Sequence, residues 1–130
     1  MARHVLVVDE TLHSRGSIVG WLSALLREVT VESAVSASEA LEAIERQRPD
    51  LVLTAHRMVE TDGVELARRL KRLPNAPIVV VMTEDSDAEF EAACAAAGAD
   101  YCLEKRQLQA RLLAILQPHF RVGIGRRAII

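Results

Sequence analysis

The chain has 130 residues, half of them apolar, and a formal net charge of −2, which suits one domain with a real core and leaves no room for a second. Its 16 Lys and Arg against 18 Asp and Glu give no positive excess of the kind that drives nonspecific nucleic-acid binding. No apolar run approaches the roughly 20 residues needed to span a bilayer, and Met1 to Val5 leads straight into a core-like strand rather than a signal peptide, so a cytoplasmic protein is expected.

Val5-Leu6-Val7-Val8 is an aliphatic run closed by Asp9-Glu10, the pattern of a strand buried on both faces with acids at its exit. From Ser14 or Ser17 to about Arg27, Ile18, Leu22, Leu25 and Leu26 recur at helical spacing beside Trp21 and predict a first helix. Thr30 to Val35 alternates as a second, more exposed strand. Ser36-Ala37-Ser38-Glu39 then supplies a capping box for a helix reaching about Gln47, with Ala40, Leu41 and Ile44 on its buried stripe.

Pro49 ends that helix, and Leu51 to Thr54 forms a third strand that delivers Ala55 to its carboxyl end. After an Asp62-Gly63 turn, Val64, Leu66, Ala67 and Leu70 mark a third helix whose basic residues face water. Pro77 to Met82 is the longest apolar strand, with Thr83 at its exit, and Asp87 to Ala97 is an alanine-rich fourth helix capped by Gly98. Tyr101 to Leu103 is a short fifth strand ending near Lys105, followed by a fifth helix carrying Leu108, Leu112, Leu113 and Ile115 to about Gln117. Residues 1–118 read as the domain. Residues 119–130, with Arg121, Arg126, Arg127, Gly123 and Gly125, read as a flexible extension or a disordered end.

Cys94 and Cys102 lack metal-ligand spacing and read as buried free thiols. The four histidines are too scattered for zinc. Strict alternation of strands and helices implies an α/β fold: a doubly wound parallel sheet with flanking helices and right-handed crossovers, in the flavodoxin-like order 2-1-3-4-5. That order brings Asp9, Glu10, Ala55, Thr83 and Lys105 to one rim, the sheet edge where open α/β folds place their chemistry.

Val7-Val8-Asp9-Glu10, Pro49-Asp50-Leu51-Val52-Leu53, Asp62-Gly63, Met82-Thr83 and Gly98-Ala99-Asp100-Tyr101-Cys102-Leu103-Glu104-Lys105 stand in this order and spacing. Together they make the chain, over about residues 3 to 118, resemble the receiver domain of bacterial two-component response regulators. The resemblance implies that Asp9 and Glu10 match the acids that bind magnesium, Thr83 and Lys105 the groups that recognise a phosphoryl group, and Ala55 the position of the phosphoacceptor aspartate. In-line phosphoryl transfer needs a nucleophilic oxygen and a divalent ion to spread charge. Ala55 removes the nucleophile and one metal ligand, so any magnesium site on Asp9 and Glu10 is expected to be weak or absent and no cofactor is assigned.

Three further departures accompany it: Val59 and Arg106 replace usual prolines, and Cys102 replaces the usual switching aromatic, while Tyr101 should face the other way. Asp9 and Glu10 then need compensation, with Lys105 the natural partner and Arg57 placed to hold a guanidinium over the same pocket; the alternative is a retained cation. Other acceptors are disfavoured: Asp62 reads as a turn residue, Thr54 points into the sheet, His56 is an isolated imidazole, and Asp50 lies at the wrong strand end.

The expected function is a pseudo-receiver: a non-enzymatic, phosphorylation-independent interaction module in a two-component or phosphorelay system. Its surface by resemblance is the fourth helix, fifth strand and fifth helix, with Phe90, Ala93, Cys102, Glu104, Gln107 and Arg111 toward a kinase, an output protein, another receiver or a second copy. No direct nucleic-acid or membrane partner is expected. The alternatives are a genuine phosphoreceiver with an unconventional acceptor, and a small-molecule binder at the strand-end crevice. Against the last, Thr11-Leu12-His13-Ser14 is not a Gly-rich phosphate loop. The residues after the fifth helix are too few for a DNA-binding unit, so output passes through a separate partner or through a further domain of a longer chain.

Overall fold

A computed structural model describes residues 3–120. Its strands are β1 (Arg3–Val8), β2 (Val29–Ala34), β3 (Leu51–Ala55), β4 (Ile78–Thr83) and β5 (Tyr101–Glu104). They alternate with helices α1 (Leu12–Leu25), α2 (Ala37–Arg46), α3 (Gly63–Lys71), α4 (Ala88–Ala97) and α5 (Leu108–Leu116), and a 3-10 turn at Lys105–Gln107 leads into α5. All pairings are parallel and the sheet order is β2-β1-β3-β4-β5. This is the flavodoxin-like order expected from the alternating pattern.

Period-two alternation along the strands decides which helices cover which face. Val5 and Val7 of β1, Leu51 and Leu53 of β3, and Val80 and Met82 of β4 pack with Leu22, Leu25, Leu112 and Leu116 of α1 and α5. Their neighbours Leu6, Val8, Val52, Val79 and Val81 pack with Ala40, Ile44, Leu66, Leu70, Phe90 and Cys94 of α2, α3 and α4. Burying each such aliphatic side chain stabilises the fold by about 1.5–3 kcal/mol.

Several boundaries differ from the sequence reading for local reasons. β1 starts at Arg3 because Arg3 and His4 already stand in register with Val29 and Thr30 of β2. α1 starts at Leu12, ahead of Ser14 and Ser17, and Thr11 at its N-cap makes no side-chain cap bond. On α5 the buried stripe is Leu108, Leu112 and Leu116, with Leu113 and Ile115 only partly covered.

The starts of α2, α3 and α4 rest on side chains, Ser36, Asp62 and Asp87, each accepting the N–H three residues on. Such a cap contributes about 1 kcal/mol. Phe120, assigned by sequence to the tail, is buried against the α1–α5 layer with the Arg3 guanidinium 5.8 Å over its ring. Residues 121–130 of that tail lie outside the described residues.

Candidate functional site

β1, β3, β4 and β5 are neighbours that all run the same way, so their carboxyl ends, and the loops that follow, open onto one rim. A cleft of about 180 Å³ lies there, lined by Asp9, Thr11, Ala55, His56, Arg57, Met82, Thr83, Glu84 and Lys105. Five of the expected residues, Asp9, Ala55, Arg57, Thr83 and Lys105, therefore meet although they span 96 positions of sequence.

Asp9 is 1% exposed, and burying a carboxylate is costly unless it is paired and hydrogen-bonded. Here it is both. Its Oδ1 accepts the Thr11 N–H at 3.0 Å, and its Oδ2 accepts the Ser14 hydroxyl at 2.7 Å and the Lys105 ammonium at 3.0 Å. Arg15 adds a guanidinium N–H to the Asp9 backbone carbonyl at 2.9 Å. Lys105 also reaches Glu84 at 3.4 Å, a looser contact to a carboxylate that is 75% exposed.

Glu10 does not join this pocket. It is exposed, does not line the cleft, and holds no ion pair among the described residues, because the chain turns from β1 toward α1 and sends consecutive side chains apart. Arg57 lines the cleft but stays exposed and makes no ion pair or hydrogen bond among the described residues; the compensation of Asp9 falls to Lys105 alone.

His56 follows Ala55 and is tied at both ends of its peptide: its N–H donates to Met82 O at 2.6 Å and its carbonyl accepts the Gly63 N–H at 2.7 Å. The ring lies with Nδ1 3.2 Å from Thr83 Oγ1 and its centroid 4.7 Å from that of Phe90 on α4. Burial holds the imidazole below its ordinary pKa; Asp62 pulls it upward, Arg57 pushes it down further, and Asp87 pulls it upward. His56 thus joins the cleft to α4, a role hidden from the sequence because Thr83 is 27 positions away.

Phe90 is correspondingly not a surface residue. It is 4% exposed, turned inward beneath α4 against His56 and the core. Ala93 is half-buried. Gln107 and Arg111 are exposed, and Glu104 is partly covered with its carboxylate held by Arg106 at 3.1 Å. Tyr101 is 38% exposed, whereas Cys102 is half-buried against the α2–α4 layer and is not fully sequestered as the sequence reading has it.

The donor set fits a magnesium ion poorly. Magnesium demands near-octahedral oxygen coordination, yet the cleft offers the Asp9 carboxylate, with its oxygens already engaged, and the outlying Glu84. Among the described residues no group of three or more His, Cys, Asp or Glu side chains is arranged to hold a metal. Ser14 and Arg15, which hold Asp9, and Glu84, which lines the cleft, were not read from the sequence as site residues; the first two occupy the opening turn of α1 a few residues after the buried acid, the only signal that pointed to them.

The chain matches the response regulator receiver domain over residues 5–117. Response regulator MprA of Mycobacterium ulcerans is 37% identical over 121 residues, covering 90% of this chain and 51% of that protein. The cyclic di-GMP phosphodiesterase response regulator RpfG of Xanthomonas campestris is 30% identical over 120 residues, covering 88% of this chain and 32% of that protein. The chain thus spans about a third to a half of the length of these relatives. A response regulator receiver protein from Pseudomonas putida superposes with a TM-score of 0.81 at 26% identity, covering 92% of this chain and 98% of that one. No helix among the described residues is long and apolar enough to cross a membrane. The chain belongs to the response regulator receiver domains, signalling modules of two-component systems that interact with kinases and output domains.

Proposed function

We propose that this chain is a pseudo-receiver, a phosphorylation-independent protein-interaction module. The observation that carries this reading is Ala55, the last residue of β3, in the cleft shared with Asp9, Thr83 and Lys105. Phosphoryl transfer onto a receiver needs a nucleophilic oxygen at that strand end, and Ala55 supplies a methyl group. The Lys105–Asp9 pair supports the same reading, since a side-chain ammonium, rather than a metal ion, pairs the buried acid. Any magnesium binding is weak on this account, and the domain carries out no catalysis of its own.

Signalling then passes through binding. The surface proposed for a kinase, an output protein, another receiver or a second copy is the α4–β5–α5 face, with Glu104, Gln107 and Arg111 as its polar contacts and Cys102 at its centre. The balanced charge of the chain favours a protein partner in the cytoplasm over nucleic acid or a membrane surface.

Incubation with acetyl phosphate and magnesium, followed by intact mass measurement, tests the proposal. The natural chain should gain nothing, and Ala55→Asp should gain one phosphoryl group. A phosphoryl adduct on the natural chain would overturn the reading and redirect the search to an acceptor such as His56 or Asp62.

A further inference from the structure

We infer that the groove between α1 and the opening of α5 binds a small aromatic carboxylate, a ligand that acts on this receiver from beside the cleft and without regard to Ala55. The groove has a volume of about 330 Å³, within the range of small-molecule sites. It is separate from the strand-end cleft and shares one lining residue with it, Lys105.

The hollow follows from side-chain size. Ser14, Ser17, Ile18 and Trp21 fall on one face of α1, at spacings of three, four and seven residues from the first. The two serines are short, so a space stays open between them and the 3-10 turn at Lys105–Gln107 that leads into α5. Ile18 and Leu108, sunk in the core at 7% and 6% exposure, give that space an apolar floor. Trp21 is only partly buried: it packs on the same core and still lines the groove. An apolar hollow walled by an indole suits an aromatic ring, which gains from ring contacts beyond the area it buries.

The polar lining sets the charge of the ligand. His13, Lys105 and Arg106 line the groove, and no Asp or Glu among the described residues does. These three are not equally available. Lys105 is committed, its ammonium 3.0 Å from Asp9 and 3.4 Å from Glu84. Arg106 is 73% exposed and meets Glu104 through Nη2 alone, at 3.2 and 3.1 Å. A guanidinium carries five N–H donors in a planar fork, so Nε and Nη1 keep donors for a carboxylate. Ser17 adds an exposed hydroxyl from the α1 side. A neutral ring would fill the floor and leave these donors to water, whereas an aromatic carboxylate satisfies both halves of the groove.

Occupancy reaches the cleft through Ser14 and Lys105. Both line the groove and both hold Asp9 Oδ2, at 2.7 and 3.0 Å. A carboxylate brought beside Lys105 competes with Asp9 for the ammonium, so the ligand loosens the pair that compensates the buried acid.

The test titrates the full chain, labelled with nitrogen-15, with 2-naphthoate and separately with neutral 2-naphthamide, in the absence of phosphodonor and magnesium. Trp21 is the only tryptophan of the chain, so a single indole N–H signal reports on the groove. That signal and the amides of Ser17, Leu108 and Gln109 should shift and saturate with 2-naphthoate, with a smaller shift at Asp9, and 2-naphthamide should bind about tenfold more weakly. Arg106→Gln should weaken 2-naphthoate about tenfold and leave 2-naphthamide unchanged. Ser17→Leu should fill the groove and abolish binding of both probes, while unmoved amide signals from the sheet show that the fold is kept. No saturable shift of the Trp21 indole, equal affinity for the two probes, shifts scattered over other faces, or binding that survives Ser17→Leu would overturn the inference.

Discussion

His56 sits where a titratable ring has consequences on both sides of it. Its Nδ1 faces Thr83 in the cleft and its ring lies on Phe90 beneath α4. Burial disfavours the imidazolium, so the folded chain takes up the proton at lower pH than the ordinary 6.5, against the pull of Asp62 and Asp87 and with the help of Arg57. The unfolded chain binds that proton first as pH falls. The stability contributed by neutral His56 is therefore complete above about pH 6.5 and is lost as pH drops from there toward the folded pKa. Urea unfolding from about pH 7.5 to about pH 5 should show a steeper loss of stability for the natural chain than for His56→Gln; equal slopes would mean that the ring is solvated and indifferent. The sequence marked His56 only as an isolated imidazole, since nothing in chain order says that the residue after a strand end will meet a hydroxyl from the next strand. Glu10 and Phe90 went astray for the same reason: residue type and position along the chain locate a backbone, while the direction of an individual side chain depends on neighbours from elsewhere.

Elements were legible where a single physical signal dominated. The aliphatic runs of β1, β3 and β4, the serine capping box of α2 and the Gly98 cap of α4 left little choice, whereas α1 began early because Ser14 donates its hydroxyl to Asp9 instead of capping the helix. Asp62-Gly63 shows the limit of turn chemistry. Asp62 does cap α3, accepting the Glu65 N–H at 2.8 Å, but Gly63 is required by packing rather than by an unusual dihedral. A Cβ there would stand 2.0 Å from the Ala55 carbonyl oxygen and 2.9 Å from its carbon, while the Gly63 N–H already holds His56 O. The obstacle is the backbone of β3, which has no side-chain rotamer to give way. Gly63→Ala should therefore cost about 1–3 kcal/mol, read as a lower urea midpoint at unchanged m-value, and should disturb amide signals from Ala55 to Arg57 first. An unchanged midpoint would show that α3 slides along the sheet at no cost.

For the whole molecule the sheet order followed from strict alternation of strands and helices, and with it the meeting of Asp9, Ala55, Thr83 and Lys105 at one edge. What alternation leaves open is how the charges there are balanced, and that balance governs the response to a divalent cation. A ligand that binds only the folded state stabilises it by RT ln(1 + [L]/Kd). In the natural chain a magnesium ion would have to displace Lys105 from Asp9 and would find no second carboxylate fixed beside it. The thermal midpoint should accordingly be the same in chelator and in millimolar magnesium. Ala55→Asp changes the sign of the problem, because it sets a new carboxylate against the buried Asp9, and like charges at close range destabilise one another. That variant should melt below the natural chain in chelator and recover in magnesium. For a Kd on the order of 1 mM, ~10 mM magnesium adds about 1.4 kcal/mol, or roughly 4–6 °C in a domain of this size. An equal rise in the natural chain would mean that Glu10 swings into the cleft beside Asp9, and that a metal-bound state of this receiver survives the loss of the β3 carboxylate.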